Sequence, residues 1–362
     1  MATVDLTVRG AGVIGLSVAW ACLRRGARVR VIDPAGIAAG ASGGLVGALA
    51  PHTPDRWNEK KAFQLESLLM ARGFWSEVAE VSGLPTGYAP TGRLQPLADD
   101  RAVALARERE ADARANWGEA ANWRVVAAND LDPGAHEAPW LPPSPTGMLV
   151  HDTLSALLHP RQATRALAGA VRALGGEVIT GVDAASEAAP NPPEVWATGA
   201  EGIEALNREL AEQGRRSAGA GVKGQAMLLD LDRAGRPQLF VDGMHLIPHL
   251  DGTLAIGSTT ERYYEEATGT DAQLDELLSR AVAAMPELDG VSVLDRWAGV
   301  RPRARSRAPM MGAHPLRKGI TLANGGFKIG FGMAPLMGEV IADLVLEGRD
   351  RIPPGFRVED NL

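Results

Sequence analysis

The run Gly10-Ala11-Gly12-Val13-Ile14-Gly15 restricts what this chain can become more than any other feature. It follows a β-branched stretch, residues 4–9, and opens a periodic apolar segment from Val13 to Arg25 that Gly26 stops. A second β-branched stretch at 28–33 completes a strand, helix, strand unit. Glycines at these spacings permit a tight turn and let backbone approach a pyrophosphate, which the N-terminus of the helix then faces. Asp33 closes the second strand, where a carboxylate can accept a hydrogen bond from a ribose hydroxyl, and Pro34 follows it. Together these signals predict a dinucleotide site built from Gly10, Gly12, Val13, Ile14, Gly15, Asp33 and Pro34.

The same patterns recur elsewhere without that context. Gly219-Ala220-Gly221-Val222-Lys223-Gly224 has the spacing but precedes a strand, and it reads as a loop. Gly40-Ala41-Ser42-Gly43-Gly44 has the spacing of a nucleophile elbow, yet no apolar strand leads into it and no clear helix follows. Ser42 therefore reads as part of a backbone-rich ligand loop.

At 362 residues the chain is long enough for two domains, since single cores stop growing near about 250 to 300 residues. Helices are expected over 57–81, 101–115, 160–174 and 271–285, with proline-rich punctuation from Pro133 to Pro145. Short strands with turn signals between them occupy 225–230, 238–241, 245–248 and 253–258, followed by 291–300 and 320–323. A last helix carries Pro335 near its start and Gly348 past its end. The implied fold class is α/β, a Rossmann-type nucleotide domain with an inserted, mainly antiparallel β substrate domain. The nucleotide domain takes residues 1–85, 146–222 and 296–362; the substrate domain takes 86–145 and 223–295.

A formal charge of -7 argues against broad contact with nucleic acid, which relies on a basic surface. No apolar run approaches the roughly 20 residues of a membrane span, and no signal peptide opens the chain. Cys22, the only cysteine, forms no intramolecular disulfide, which fits a reducing, cytoplasmic setting. His245 and His249 have Pro248 between them, so they do not share a helix face as a metal pair, and no metal site is expected.

In order and spacing, the N-terminal fingerprint, Ala41-Ser42-Gly43, Pro160-Arg161, Ala197-Thr198-Gly199, Val222-Lys223-Gly224-Gln225, Ile256-Gly257-Ser258-Thr259, Trp297-Ala298-Gly299-Val300-Arg301-Pro302 and the glycine-rich end resemble the glycine oxidase and D-amino-acid oxidase superfamily. The match runs over nearly the whole chain. It implies noncovalent FAD and oxidation of the carbon-nitrogen bond of a small amine or amino acid, with a hydride passing to flavin N5. By this resemblance Ser42 and Gly43 lie near the flavin and its phosphates, while Thr198 and Gly199 end a strand on the adenosine side. Gly330, Phe331, Gly332 and Met333 open a helix whose positive end can face the charge on reduced flavin.

Arg301 matches the arginine that grips the substrate carboxylate in amino-acid-oxidising relatives. Arg303, Arg305 and Arg307 alternate with it, so an extended segment places all four on one face, solvated or inward; more than one inward cation favours an acidic substrate. His245 falls where many relatives place a tyrosine, and either bonds substrate or lines the sheet. Lys328 falls near a position often basic in glycine oxidases, and either serves the site or lies on the surface. The acceptor of the electrons is oxygen or another molecule, and a homo-oligomer or a heteromeric dehydrogenase is open. The alternatives are a tRNA wobble-uridine side-chain oxidase, suggested by residues 41–51, the flavin subunit of a multi-protein amino-acid dehydrogenase, and a 2-hydroxy acid dehydrogenase.

Overall fold

A computed structural model of the chain describes residues 4–131, 140–186 and 193–362, so much of the Pro133 to Pro145 stretch lies outside the described residues. Its first sheet has six strands in the order Met310–Ala313, Ile320–Asn324, Glu194–Trp196, Leu6–Arg9, Val29–Asp33, Glu177–Thr180. All neighbours run parallel except Met310–Ala313, which lies antiparallel on the edge. Leu6, Thr7 and Val8 are sealed on both faces, as a strand inside a parallel sheet must be.

The first helix, Val13–Arg24, is buried continuously from Val13 to Cys22, which explains its all-round apolar sequence. It packs against the last helix, Gly330–Glu347. The two approach closely because Gly338 has no side chain: a Cβ there would stand 2.5 Å from the Ser17 carbonyl oxygen. The helices Glu59–Ser82 and Pro160–Ala173 complete this layer.

The second sheet has eight strands in the order Val293–Ala304, Gly219–Leu229, Leu254–Gly257, Met244–Pro248, Gln238–Val241, Arg93–Pro96, Met148–Asp152, Trp123–Ala127. Only the pairing of Gln238–Val241 with Arg93–Pro96 is parallel. Alternation gives the sheet two distinct faces. Met227, Leu229, Leu239, Leu246, Leu254 and Ile256 pack with Leu274, Leu277 and Ala281 of the helix Ala272–Ala284. Ala226, Ile247 and Ala255 point the other way and meet Leu45 and Leu157. That second face looks toward the glycine-rich loop and carries the residues described below. The α/β class and the mainly antiparallel second sheet expected from the sequence are both present.

Several local expectations are corrected. Gly219 to Gly224 is not a loop: it is the first half of the strand Gly219–Leu229, paired from Gly219 opposite Ala304 to Gly224 opposite Gly299. Its glycines are needed because Arg303, Val300 and Arg301 fill the space where their side chains would stand. Gly199 does not end a strand. It sits beyond Glu194–Trp196 with φ +61° and opens the helix Gly199–Glu212. Strands Arg93–Pro96, Trp123–Ala127 and Met148–Asp152 are additional, and Met148–Asp152, Gly219–Val222 and residues 296–304 pair in the eight-stranded sheet although the sequence boundaries put them with the nucleotide part.

Candidate active site

The glycine turn is determined by what each glycine leaves open. Gly10 has φ +109°, and a Cβ on it would lie 2.4 Å from the Ala197 carbonyl oxygen. A Cβ on Gly15 would lie 2.0 Å from the Gly10 oxygen, and one on Gly12 would lie 3.1 Å from Ser42 Oγ. Gly12 supplies no capping side chain to the helix it precedes. Ser42 replaces it: its Oγ accepts the Val13 N–H at 3.0 Å, satisfying one of the free donors at a helix start. Asp33 Oδ2 accepts the Ala11 N–H at 2.8 Å and Oδ1 the Ala35 N–H at 3.0 Å. A carboxylate has about four acceptor positions, so capacity for a ribose hydroxyl is left. Pro34 lies exposed in the turn beyond it.

Thr198 and Gly199 adjoin this turn through Ala197, and the Asn324 amide donates to the Gly199 oxygen at 2.9 Å. The last helix begins close by, since a Cβ on Gly326 would lie 3.1 Å from Ile14 Cδ1 and 2.9 Å from Gly330 Cα. Two helix N-termini thus converge. At the second, Gly330, Phe331 and Gly332 offer backbone N–H groups, whereas Met333 donates to Ile329 and is fully buried. The Phe331 ring packs 6.3 Å from Trp75. This cradle of small residues and unspent donors fits a dinucleotide pyrophosphate, which the Gly10 to Gly15 turn and the start of the last helix would hold.

Arg161 fastens the Ala41–Gly43 turn to the second sheet. Arg161 Nε donates to the Gly43 oxygen at 2.8 Å and Nη1 to Asp295 Oδ2 at 2.6 Å. Trp297 lies beside it, within 3.3 Å of where a Gly44 side chain would begin and 2.4 Å of the same point on Gly299. Ser42 has its Oγ engaged with the helix start, in keeping with a ligand loop rather than a nucleophile.

On the facing sheet, Arg301 is 9% exposed, and its guanidinium occupies the volume that a Gly224 side chain would take, Nη1 being 1.7 Å from that Cβ position. Its one hydrogen bond among the described residues runs to the Thr259 oxygen at 3.4 Å. Burial lowers its pKa from 12.5 to about 10, with Glu261 acting in the opposite sense. The four alternating arginines separate: Arg303 is half-buried against the Phe327 ring, whereas Arg305 and Arg307 lie exposed past the strand end.

The second cation near Arg301 is Lys328. Its stem is exposed, but Nζ donates to Thr260 Oγ1 at 2.8 Å, and loss of water with the nearby Arg301 charge brings its pKa down to about 8. His245 completes the trio, since it feels the Lys328 and Arg93 charges and is held by burial at a pKa of about 3, hence neutral. The structure therefore gathers all three sequence-derived substrate candidates on one side of the second sheet.

Other residues that shape this face had no assigned role in the sequence reading. Gln238 bonds the His245 ring, the tilted Phe240 ring packs 4.7 Å from it, and Arg93 pairs with Asp152 at 2.8 Å. Behind Arg301, buried Lys223 and Gln225 bind Glu261, which also accepts from Thr259 Oγ1. That network fixes the segment whose carbonyl oxygen meets Arg301. Its only sequence signal is the polar pair Lys223 and Gln225 alternating within an apolar strand.

Comparison with known proteins places the chain in a family. The chain is 27% identical over 367 residues to the bifunctional protein ThiO/ThiG of Nostoc sp., covering 95% of this chain but 53% of that one. It therefore spans about half the length of that relative. It is also 27% identical over 377 residues to the glycine oxidase of Pseudomonas putida, covering 97% of this chain and 96% of the other. The crystal structure of glycine oxidase from Geobacillus kaustophilus superposes with a TM-score of 0.80 at 20% identity, covering 98% of each chain. Residues 5–344 match the FAD dependent oxidoreductase (DAO) family, and this chain belongs to it.

Proposed function

We propose that this protein oxidises the carbon-nitrogen bond of a small carboxylate-bearing amine or amino acid, using noncovalently held FAD. What supports this most is Arg301: a buried guanidinium on the same sheet face as Trp297, which packs beside Gly44, with no carboxylate hydrogen-bonded to it among the described residues. A buried cation whose only hydrogen bond among the described residues is a long one to a carbonyl oxygen is costly, and a substrate carboxylate would relieve that cost through a two-pronged charge-assisted bond. With the acid end fixed there, Arg301 would turn the α-carbon toward the cofactor cradle, and FAD held in it would supply the two-electron oxidation of the carbon-nitrogen bond to an imine, which water then hydrolyses. Positioning supplies the catalysis and no side-chain base is required.

The remaining site residues belong to the same reading. Gly10, Gly12, Val13, Ile14, Gly15, Asp33, Pro34, Ser42, Gly43, Thr198, Gly199 and Gly330 to Met333 would bind the cofactor, with Arg301, His245 and Lys328 at the substrate. Residues 1–85, 146–222 and 296–362 would hold FAD, less the strands that pair in the eight-stranded sheet. Oxygen or a partner protein would reoxidise the flavin, in a cytoplasmic setting compatible with one buried thiol. Among the described residues no helix is long and apolar enough to cross a membrane.

The test is anaerobic mixing of the purified yellow protein with a panel of amino acids, amines and 2-hydroxy acids while flavin absorbance is followed. Bleaching by an amine supports the reading. Bleaching by hydroxy acids alone moves the substrate class, and a colourless protein that takes up no flavin removes the proposal.

A further inference from the structure

The orientation of His245 is decided by a neutral residue, Gln238, on the adjacent strand. Gln238 Nε2 donates to the Ala156 carbonyl oxygen at 2.7 Å, which forces the amide to turn its Oε1 the other way. That Oε1 lies 3.2 Å from His245 Nδ1. Gln238 is fully buried, its amide makes these two contacts among the described residues, and Oε1 can only accept. The proton of the neutral imidazole must therefore sit on Nδ1. The Phe240 ring, tilted at 45° beside the imidazole, limits its rotation.

The other ring nitrogen, Nε2, is then a bare lone pair. It has no hydrogen-bond partner among the described residues and is not sealed away as the Nε2 of His249 is. It lies on the same face as Arg301, because His245 pairs with Gly257, Gly257 with Ala226, and Gly224 and Val222 continue that face to Arg301. One end of the site is cationic and needs an acceptor. The other end presents an acceptor and needs a donor.

Resting on the amine-oxidising reading above, we infer that His245 Nε2 accepts an N–H of the substrate amine, with Gln238 as the positioning residue that fixes the required tautomer. An α-amine that carries at least one hydrogen in its reactive, neutral form satisfies this acceptor. A tertiary amine does not, and it leaves the lone pair stranded in a dry site. His245 is thus a determinant of specificity for primary and secondary over tertiary amines.

The experiment takes whichever primary or secondary amino acid bleaches the flavin best and compares its kcat/KM with that of its N,N-dimethyl derivative. The wild type is expected to favour the N–H-bearing substrate by about tenfold or more, the range of a lost hydrogen bond to a buried acceptor. His245→Phe keeps the ring volume and removes the acceptor, so the preference should shrink severalfold while the flavin spectrum is retained. Gln238→Leu frees the tautomer and should reduce the preference partway; it also carries the test should the Phe variant fail to bind flavin. A preference unchanged in His245→Phe, or a wild type indifferent to N-methylation, overturns the inference. A preference lost in His245→Phe and unchanged in Gln238→Leu overturns the role of Gln238. If no amine bleaches the flavin, the oxidase reading itself fails, a different result from an altered ratio.

Discussion

Arg301 occupies the place of a side chain that Gly224 does not have, lying diagonally across the pairing of two long antiparallel strands. The empty position on one strand holds the charged group of the other in its orientation. Gly224→Ala should therefore resemble Arg301→Ala. Both are expected to lower kcat/KM for a carboxylate substrate by about a hundredfold, the loss of roughly 3 kcal/mol of charge-assisted bonding, while FAD stays bound. Steady-state kinetics with absorbance spectra of both variants check this; a Gly224→Ala enzyme with unchanged KM would contradict it.

Lys328 should impose a pH limit on anion binding. Its ammonium is lowered from 10.5 to about 8 by lost hydration and then by Arg301, so it is charged below pH 8 and loses its proton above. An amine-free carboxylate such as glycolate, titrated against the flavin spectrum, should bind with constant affinity below that point and severalfold more weakly above it. Lys328→Met should show weaker binding with no such limb.

Stability should fall on mild acidification. His249 is fully buried with its ring 4.4 Å from that of His159, and Asp251 and Thr253 also face it. Burial, and then the neighbouring His159, lower its pKa from 6.5 to about 4. The unfolded chain takes up the proton near 6.5 and the folded one only near 4, so stability is full above the first value and declines as pH drops toward the second. The decline is at most about 3 kcal/mol from this group. Melting temperature followed against pH should show it, and His249→Gln should flatten the slope.

Ser42 has a measurable structural task apart from any ligand. Because Gly12 cannot cap the first helix, Ser42→Ala is expected to cost about 1 kcal/mol in the FAD-free protein. FAD affinity should fall as well. Denaturant titration with and without FAD separates the two effects, and an unaltered midpoint in the flavin-free variant would remove the capping role.

The glycine turn, the first helix and the class of the second sheet were legible because their signals are local: strand, turn, cap and alternation lie within a few residues of one another. Arg301 was legible through the ordered run from Trp297 to Pro302. Gly219 to Gly224 was not, since glycine weakens any strand signal and the justification for each one is a bulky residue on the strand Val293–Ala304. Arg93 and Gln238 were hidden for the same kind of reason, each owing its place to a partner far along the chain. The helix Gly199–Glu212 does carry Ile203, Leu206 and Leu210 at helical spacing, but Gly199 and Gly202 in its first turn weaken the helix signal.

The two-sidedness of the eight-stranded sheet separates two kinds of inheritance. Along Gly219–Leu229, successive residues answer alternately to the helix behind and to the chemistry in front. Descendants of this scaffold can exchange the front row and acquire a new diet while the back row keeps them folded. A mutational library restricted to front positions outside the buried cluster of Ala226, Ile247 and Ala255 would explore substrate preference at little expense in yield.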